Sequence, residues 1–132
     1  MSIKEKLVTR FLNYVAVPSQ SDFKGVQVPS TPGQIDMAKL LEKELTELNL
    51  SEIKRDEYGI VTALLPGNCV DAPKIGFVAH TDTVDVALSD TVHPQRIHFD
   101  GNDILLNQEQ DIWLRTAEHP EIMPYVGDEI IV

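Results

Sequence analysis

The residues with the clearest chemical potential in this chain are His80-Thr81-Asp82-Thr83, which directly follow the apolar run Ile75-Gly76-Phe77-Val78-Ala79. Imidazole is a good zinc ligand, and a ligating imidazole usually needs a carboxylate or carbonyl on its other nitrogen. His-x-Asp at a strand end supplies both the ligand and the group that orients it. Loops at the carboxyl ends of strands are also where open α/β sheets place their sites. The same tetrapeptide suits a plainer role, a His and an Asp closing a strand end with turn hydrogen bonds. Alone it does not separate the two, because zinc needs about three or four protein ligands.

The remaining titratable residues point elsewhere. Glu42 and Glu44 fall on what reads as a solvated helix face. His93, His98 and His119 stand in polar or loop sequence and read as surface residues. Asp100 and Asp103 are turn residues by type. Cys69 lies between Asn68 and Val70 with no base beside it to raise a thiolate, so a nucleophilic role is not expected.

The elements that must position His80 follow from periodicity. Ile3, Leu7, Val8, Phe11, Leu12 and Val15 share one helical stripe, a core-packing pattern over residues 3–15. Ser2 with Glu5 fits a capping box, and Pro18 forces Val17 out of the helical region. A polar loop should run from Pro18 to Pro29. Thr31 then reads as an N-cap, Pro32 as the first helical residue and Gln34 as the closing member of a second capping box. Ile35, Ala38, Leu41, Leu45 and Leu48 should face inward along this helix, which should stop near Asn49.

Residues 51–57 suit an edge strand, Tyr58-Gly59 a turn, and residues 60–65 a buried strand ahead of Pro66-Gly67. Residues 74–79 carry the strongest buried-strand pattern, and they lead straight into His80. Residues 96–99 and 104–106 flank Asp100-Gly101, the signature of a hairpin turn. From Asn107 onward the chain is acidic and reads as irregular until Ile130-Ile131-Val132, which opens another strand. Helices interleaved with strands indicate an α/β fold.

Composition narrows the function classes. The chain has 132 residues, so it is one domain or a piece of one, and its 42% hydrophobic content is enough to build a core. Eleven Lys and Arg against 21 Asp and Glu leave a net charge of −10, which disfavours nucleic acid and anionic membranes as partners. A single cysteine excludes an internal disulfide framework and a multi-cysteine metal site. No apolar stretch approaches the roughly 20 residues of a membrane span, and residues 1–10 lack a signal-peptide core. A cytoplasmic setting is the expectation.

Longer motifs add a resemblance. The run ending Gly76-Phe77-Val78-Ala79-His80-Thr81-Asp82-Thr83 resembles the first metal motif of the co-catalytic zinc aminopeptidase and deacylase superfamily. Within it, Val28-Pro29-Ser30-Thr31-Pro32-Gly33-Gln34 is similar to a stretch of the peptidase T family, the tripeptide aminopeptidases. Arg10-Phe11-Leu12-Asn13-Tyr14-Val15, Leu106-Asn107-Gln108-Glu109-Gln110-Asp111-Ile112 and Tyr125-Val126-Gly127-Asp128-Glu129-Ile130 resemble the same family in the same order. The resemblance runs over essentially the whole chain.

The resemblance implies an enzyme that releases the N-terminal residue of tripeptides with two zinc ions. His80 would be a ligand to one of them, and Asp82 the catalytic-site acid that positions its imidazole. It implies that residues 1–132 are the N-terminal portion of the zinc-peptidase catalytic domain, with helices packed on a mixed β-sheet. The chain would stop shortly before the bridging aspartate. The general base, the second-site ligands and the dimerisation or lid domain would then be absent. At most one partial zinc site is expected here, and no activity from this chain alone. An incomplete sheet should expose an edge, so a homo-oligomer is expected, with residues 130–132 among the pairing candidates. The alternative is a non-catalytic α/β fragment that acts as a binding or self-assembly module.

Overall fold

The computed structural model describes residues 1–85 and 91–132. They form two compact units, Met1–Val92 and His93–Val132. Helices and strands are both present, as the sequence predicts. The strands, however, pair as three separate two-stranded antiparallel sheets and not as one mixed sheet.

In the first unit, α1 spans Ile3–Val15 and α2 spans Pro32–Glu47. The Ser2 hydroxyl accepts the Glu5 N–H at 3.2 Å and so satisfies one of the orphan donors of α1. The chain leaves α1 through Ala16, ahead of Pro18, as expected. The apolar stripe of α1 is only half used: Val8, Leu12 and Val15 are half-buried, while Ile3, Leu7 and Phe11 stand exposed.

Thr31 occupies the N-cap of α2 and Pro32 its first turn, but the expected capping box does not form. The Thr31 hydroxyl instead donates to the Gln20 carbonyl at 2.7 Å, and Gln34 Nε2 donates to Ser30 Oγ at 3.4 Å. Both side chains tie down the preceding loop rather than the helix end. Gly33 makes the approach possible, since a Cβ there would lie 1.8 Å from the Pro18 carbonyl oxygen. Met37 and Ala38 are buried as the core of this unit, whereas Leu48 is half exposed.

Glu44 corrects the reading of a solvated face. It is buried, its Oε2 accepts a hydrogen bond from the Tyr14 hydroxyl, and Arg10 Nε lies 3.5 Å from the same oxygen. A buried carboxylate is tolerated when it is paired and hydrogen-bonded, and this knot supplies both while joining α1 to α2. Burial, the bond to Glu44 and the charge of Glu44 together push the Tyr14 phenol up to about 12.

Strands β1 (Ser51–Arg55) and β2 (Val61–Leu64) pair antiparallel, with Lys54 opposite Thr62 and an irregularity after Ser51. Their turn is built by Asp56, whose Oδ1 accepts the N–H groups of Tyr58 (3.0 Å) and Ile60 (2.8 Å), and by Gly59 at φ +81°. Arg55 reaches Glu42 at 2.8 Å and anchors β1 on α2. The expected burial of residues 60–65 is not found: apart from Val61, their side chains face solvent.

Residues 74–79 overturn the strongest strand expectation. The segment forms no strand, and Phe77 and Val78 are 94% and 100% exposed. A buried strand needs neighbours for its N–H and C=O groups, and among the described residues none lies alongside. Pairing resumes at Thr83, which bridges Gln20 in parallel: Ser21 N–H donates to the Thr83 carbonyl (2.9 Å) and Thr83 N–H to the Ser19 carbonyl (3.3 Å).

In the second unit, β3 (Arg96–His98) pairs with β6 (Glu129–Ile131), and β4 (Ile104–Asn107) pairs with β5 (Ile112–Leu114). A 3-10 helix, Pro120–Tyr125, precedes β6. The strand expected at residues 130–132 therefore exists, and it pairs with β3. The region from Asn107 onward is more ordered than its composition suggests.

Asp100-Gly101 turns the chain, with Gly101 at φ +92°, but β3 and β4 do not form the predicted hairpin. Asp103 draws the start of β4 toward β5, accepting from Thr116 N–H (2.8 Å), Thr116 Oγ1 (3.0 Å) and Arg115 (3.1 Å). Phe99 is completely buried, with Ile104 buried in the same unit.

Candidate functional site

The loop at residues 80–83 is held from its far end. Thr83 is bridged to residues 19–21, and the Ser21 hydroxyl donates to the Thr83 carbonyl at 3.1 Å. Gln20 reinforces the attachment by donating to Asp85 at 3.2 Å. The segment that leads into His80 is irregular and exposed, so the bridge at Thr83 fixes the loop where a strand was expected to do so.

The structure brings together the two sequence-predicted site residues. His80 Nδ1 lies 2.9 Å from the Asp82 carbonyl oxygen and 3.2 Å from Asp82 Oδ1. Both partners are acceptors, so Nδ1 carries the proton and donates. In the neutral ring this places the lone pair on Nε2, the tautomer suited to metal ligation. The His80 side chain is 85% exposed, so Nε2 is accessible, while Asp82 is partly covered. His80 also borders an apolar cleft of about 600 Å³, whose walls include Phe11, Val15, Met37, Leu41 and Val84.

Among the described residues of the first unit, no other sequence candidate converges on this pair. Among the described residues, no group of three or more His, Cys, Asp or Glu side chains is placed to hold a metal ion. Cys69 is exposed. His119 pairs with Glu121 at 2.9 Å within the second unit. His93 is exposed, and His98 lies in β3 opposite Glu129.

Asp100 and Asp103 do more than occupy turns. Hydrogen bonds from the Asn102 N–H and side chain hold the Asp100 carboxyl below its ordinary value. The Thr116 N–H and hydroxyl and the Arg115 guanidinium do the same for Asp103. The Tyr14–Glu44 bond and the Gln20–Asp85 support were missed in the sequence. They join residues 30 and 65 positions apart, and no local pattern marks either.

No protein-family model matches the chain. Curated proteins do match it. A peptidase T-like protein of Yersinia pestis is 54% identical over 131 residues, which takes in 99% of this chain and 32% of the relative. A peptidase T-like protein of Rhizobium meliloti is 48% identical over 132 residues, covering 100% of this chain and 32% of the relative. Peptidase T of Bacillus cereus is 45% identical over 134 residues, covering 99% and 32%. The chain thus spans about a third of the length of the curated relatives it matches. By sequence it is a homologue of the peptidase T proteins, similar along its whole length to the N-terminal portion of those longer chains.

Proposed function

We infer that this chain contributes the first metal-ligand motif of a zinc-dependent tripeptide aminopeptidase. The observation that carries the reading is the His80–Asp82 contact, which commits Nδ1 and leaves Nε2 open. His80 fits as one nitrogen donor, and Asp82 fits as the acid that fixes its tautomer and orientation. Among the described residues no group of three or more ligand side chains gathers around His80, and on this reading the longer peptidase T chain supplies the rest of the set. Zinc, when bound, would polarise the scissile carbonyl and acidify its water. The part played by these residues is to present one imidazole with Nδ1 engaged by Asp82 and Nε2 turned outward. The zinc-peptidase catalytic fold, the tripeptide substrates and a cytoplasmic setting belong to the same reading. No helix among the described residues is long and apolar enough to cross a membrane.

The test is a chimera in which this chain replaces the matched third of the Bacillus cereus relative. Tripeptide hydrolysis is expected. His80→Ala should reduce it by about a thousandfold and lower the zinc content, while Asp82→Ala should cost about 10- to 100-fold. A folded chimera without activity, or full activity in His80→Ala, would overturn the reading.

A second reading, a self-assembling fragment, is favoured by one observation. The apolar side chains of Ile75, Phe77 and Val78 stand in solvent on a segment that forms no strand. The occupant it implies is a second copy of the chain, joined edge to edge.

A further inference from the structure

Next to the His80–Asp82 pair is a smaller cleft of about 330 Å³, whose polar wall is made by Gln27, Ser30, Gln34, Tyr58, Thr81 and Asp82. Three separate stretches deliver these groups: the loop entering α2, the β1–β2 turn, and the loop after residue 79. The first two are fixed from within. Asp22 N–H donates to Ser30 Oγ at 2.9 Å, Gln34 Nε2 reaches the same oxygen, and Asp56 clamps the Tyr58 N–H. Gly59 lies against α2, with Ile35 Cδ1 3.4 Å from the position a Cβ would take.

Several polar groups in this wall are unspent. Gln34 uses its Nε2 and keeps its carbonyl oxygen, while the Gln27 amide and the Tyr58 hydroxyl have no hydrogen-bond partner among the described residues. Amides and hydroxyls both donate and accept, as a peptide main chain does. Among the described residues, Asp82 is the one charged side chain in the lining, and no cation lines the cleft. A carboxylate entering it would lose water without gaining a counter-charge.

We propose that this cleft binds main-chain amide groups of a peptide, excludes its C-terminal carboxylate, and so lays the chain of the substrate beside Asp82. The substrate class rests on the peptidase reading above. Gln27, Gln34 and Tyr58 are then specificity residues that select where along a peptide the site engages.

The experiment titrates trialanine, and separately trialanine amide, into the isotope-labelled full chain without metal and follows its amide spectrum. Shifts are expected at the side-chain amides of Gln27 and Gln34 and at the Gly59 N–H, and the two ligands should bind within about twofold of each other. The double variant Gln27→Leu/Tyr58→Phe should weaken both by about fivefold or more; both side chains are exposed, and an otherwise unchanged spectrum certifies the fold. Three results would overturn the proposal: no shifts up to about 20 mM peptide, shifts mapping elsewhere, or binding abolished by amidation. The metal-free titration and the hydrolysis by the chimera are independent readouts. Peptide shifts alongside an inactive chimera would therefore support the cleft while removing the peptidase reading, and an active chimera without shifts would do the reverse.

Discussion

Residues 74–79 and residues 96–99 are both short and both carry Ile and Phe, yet the fold treats them oppositely. In the second stretch, Ile97 lies opposite Ile130, the ladder continues through Gln95 and Val132, and Phe99 is completely buried. In the first, Phe77 and Val78 face water and no backbone ladder forms. Local strand propensity is no weaker at residues 74–79, whose apolar pattern is the stronger of the two. The difference is the partner. Residues 96–99 find β6 within the same unit, whereas residues 74–79 find nothing among the described residues. Apolar pattern marks a segment that gains by pairing and does not supply the pair.

The largest effect that bears on this contrast is a core truncation. Phe99→Ala should cost the second unit about 3–5 kcal/mol, whereas Phe77→Ala should change stability by no more than about 0.5 kcal/mol. Urea unfolding followed by Trp113 fluorescence, with amide exchange across each unit, would measure both. Equal costs would mean that residues 74–79 are packed in solution.

Association comes next in size. The chain should self-associate at tens of micromolar, and Phe77→Glu should weaken that association by about tenfold or more. Residues 130–132 were also candidates for such pairing, but β3 already satisfies one side of β6. Light scattering that shows a monodisperse monomer with a cooperative melt would refute self-assembly and show that the exposed apolar segment is tolerated.

The smallest effects are titrations, and they should separate the two units by the direction of pH. Tyr14 titrates near 10 when unfolded and at about 12 when folded, so its protonated form is favoured in the native state. That contribution is complete below pH 10 and is lost as pH rises from 10 to about 12. Asp103 behaves in the opposite sense. Its carboxyl is held below the ordinary value, so its contribution is present above the usual carboxylate range and is lost as pH falls through the lowered pKa. Tyr14→Phe should flatten the alkaline limb and Asp103→Asn the acid limb, as read from chemical denaturation across pH. A change in the wrong limb would mean the linkage has been misassigned.

Much of this was legible in the sequence. The bounds of α1, the Pro32 start of α2, the Tyr58-Gly59 turn and the strand at the chain's last residues follow from capping, proline and turn chemistry. All of these act within a few positions. The His80–Asp82 contact is likewise an i, i+2 relation. What the sequence could not show is non-local. Glu44 is buried because Tyr14 and Arg10 meet it from another helix. Asp100-Gly101 makes a turn, but which strands pair across it is decided by Asp103, Arg115 and Thr116. The second helix lacks its capping box because Thr31 found the Gln20 carbonyl instead.

The close approach of Gly33 to Pro18 has a consequence for engineering. Gly33 against Pro18, the Thr31 bond to Gln20 and the Thr83 bridge to residues 19–21 together pin both feet of the excursion between the helices. Its tip is another matter: Phe23, Val26 and Val28 project into solvent. A peptide tag spliced in beside Phe23 would hang from anchored feet, away in sequence from Gln27 and the cleft it lines. A single methyl added at residue 33 would push the feet apart. The excursion therefore tolerates added length at its tip far better than added bulk at its base.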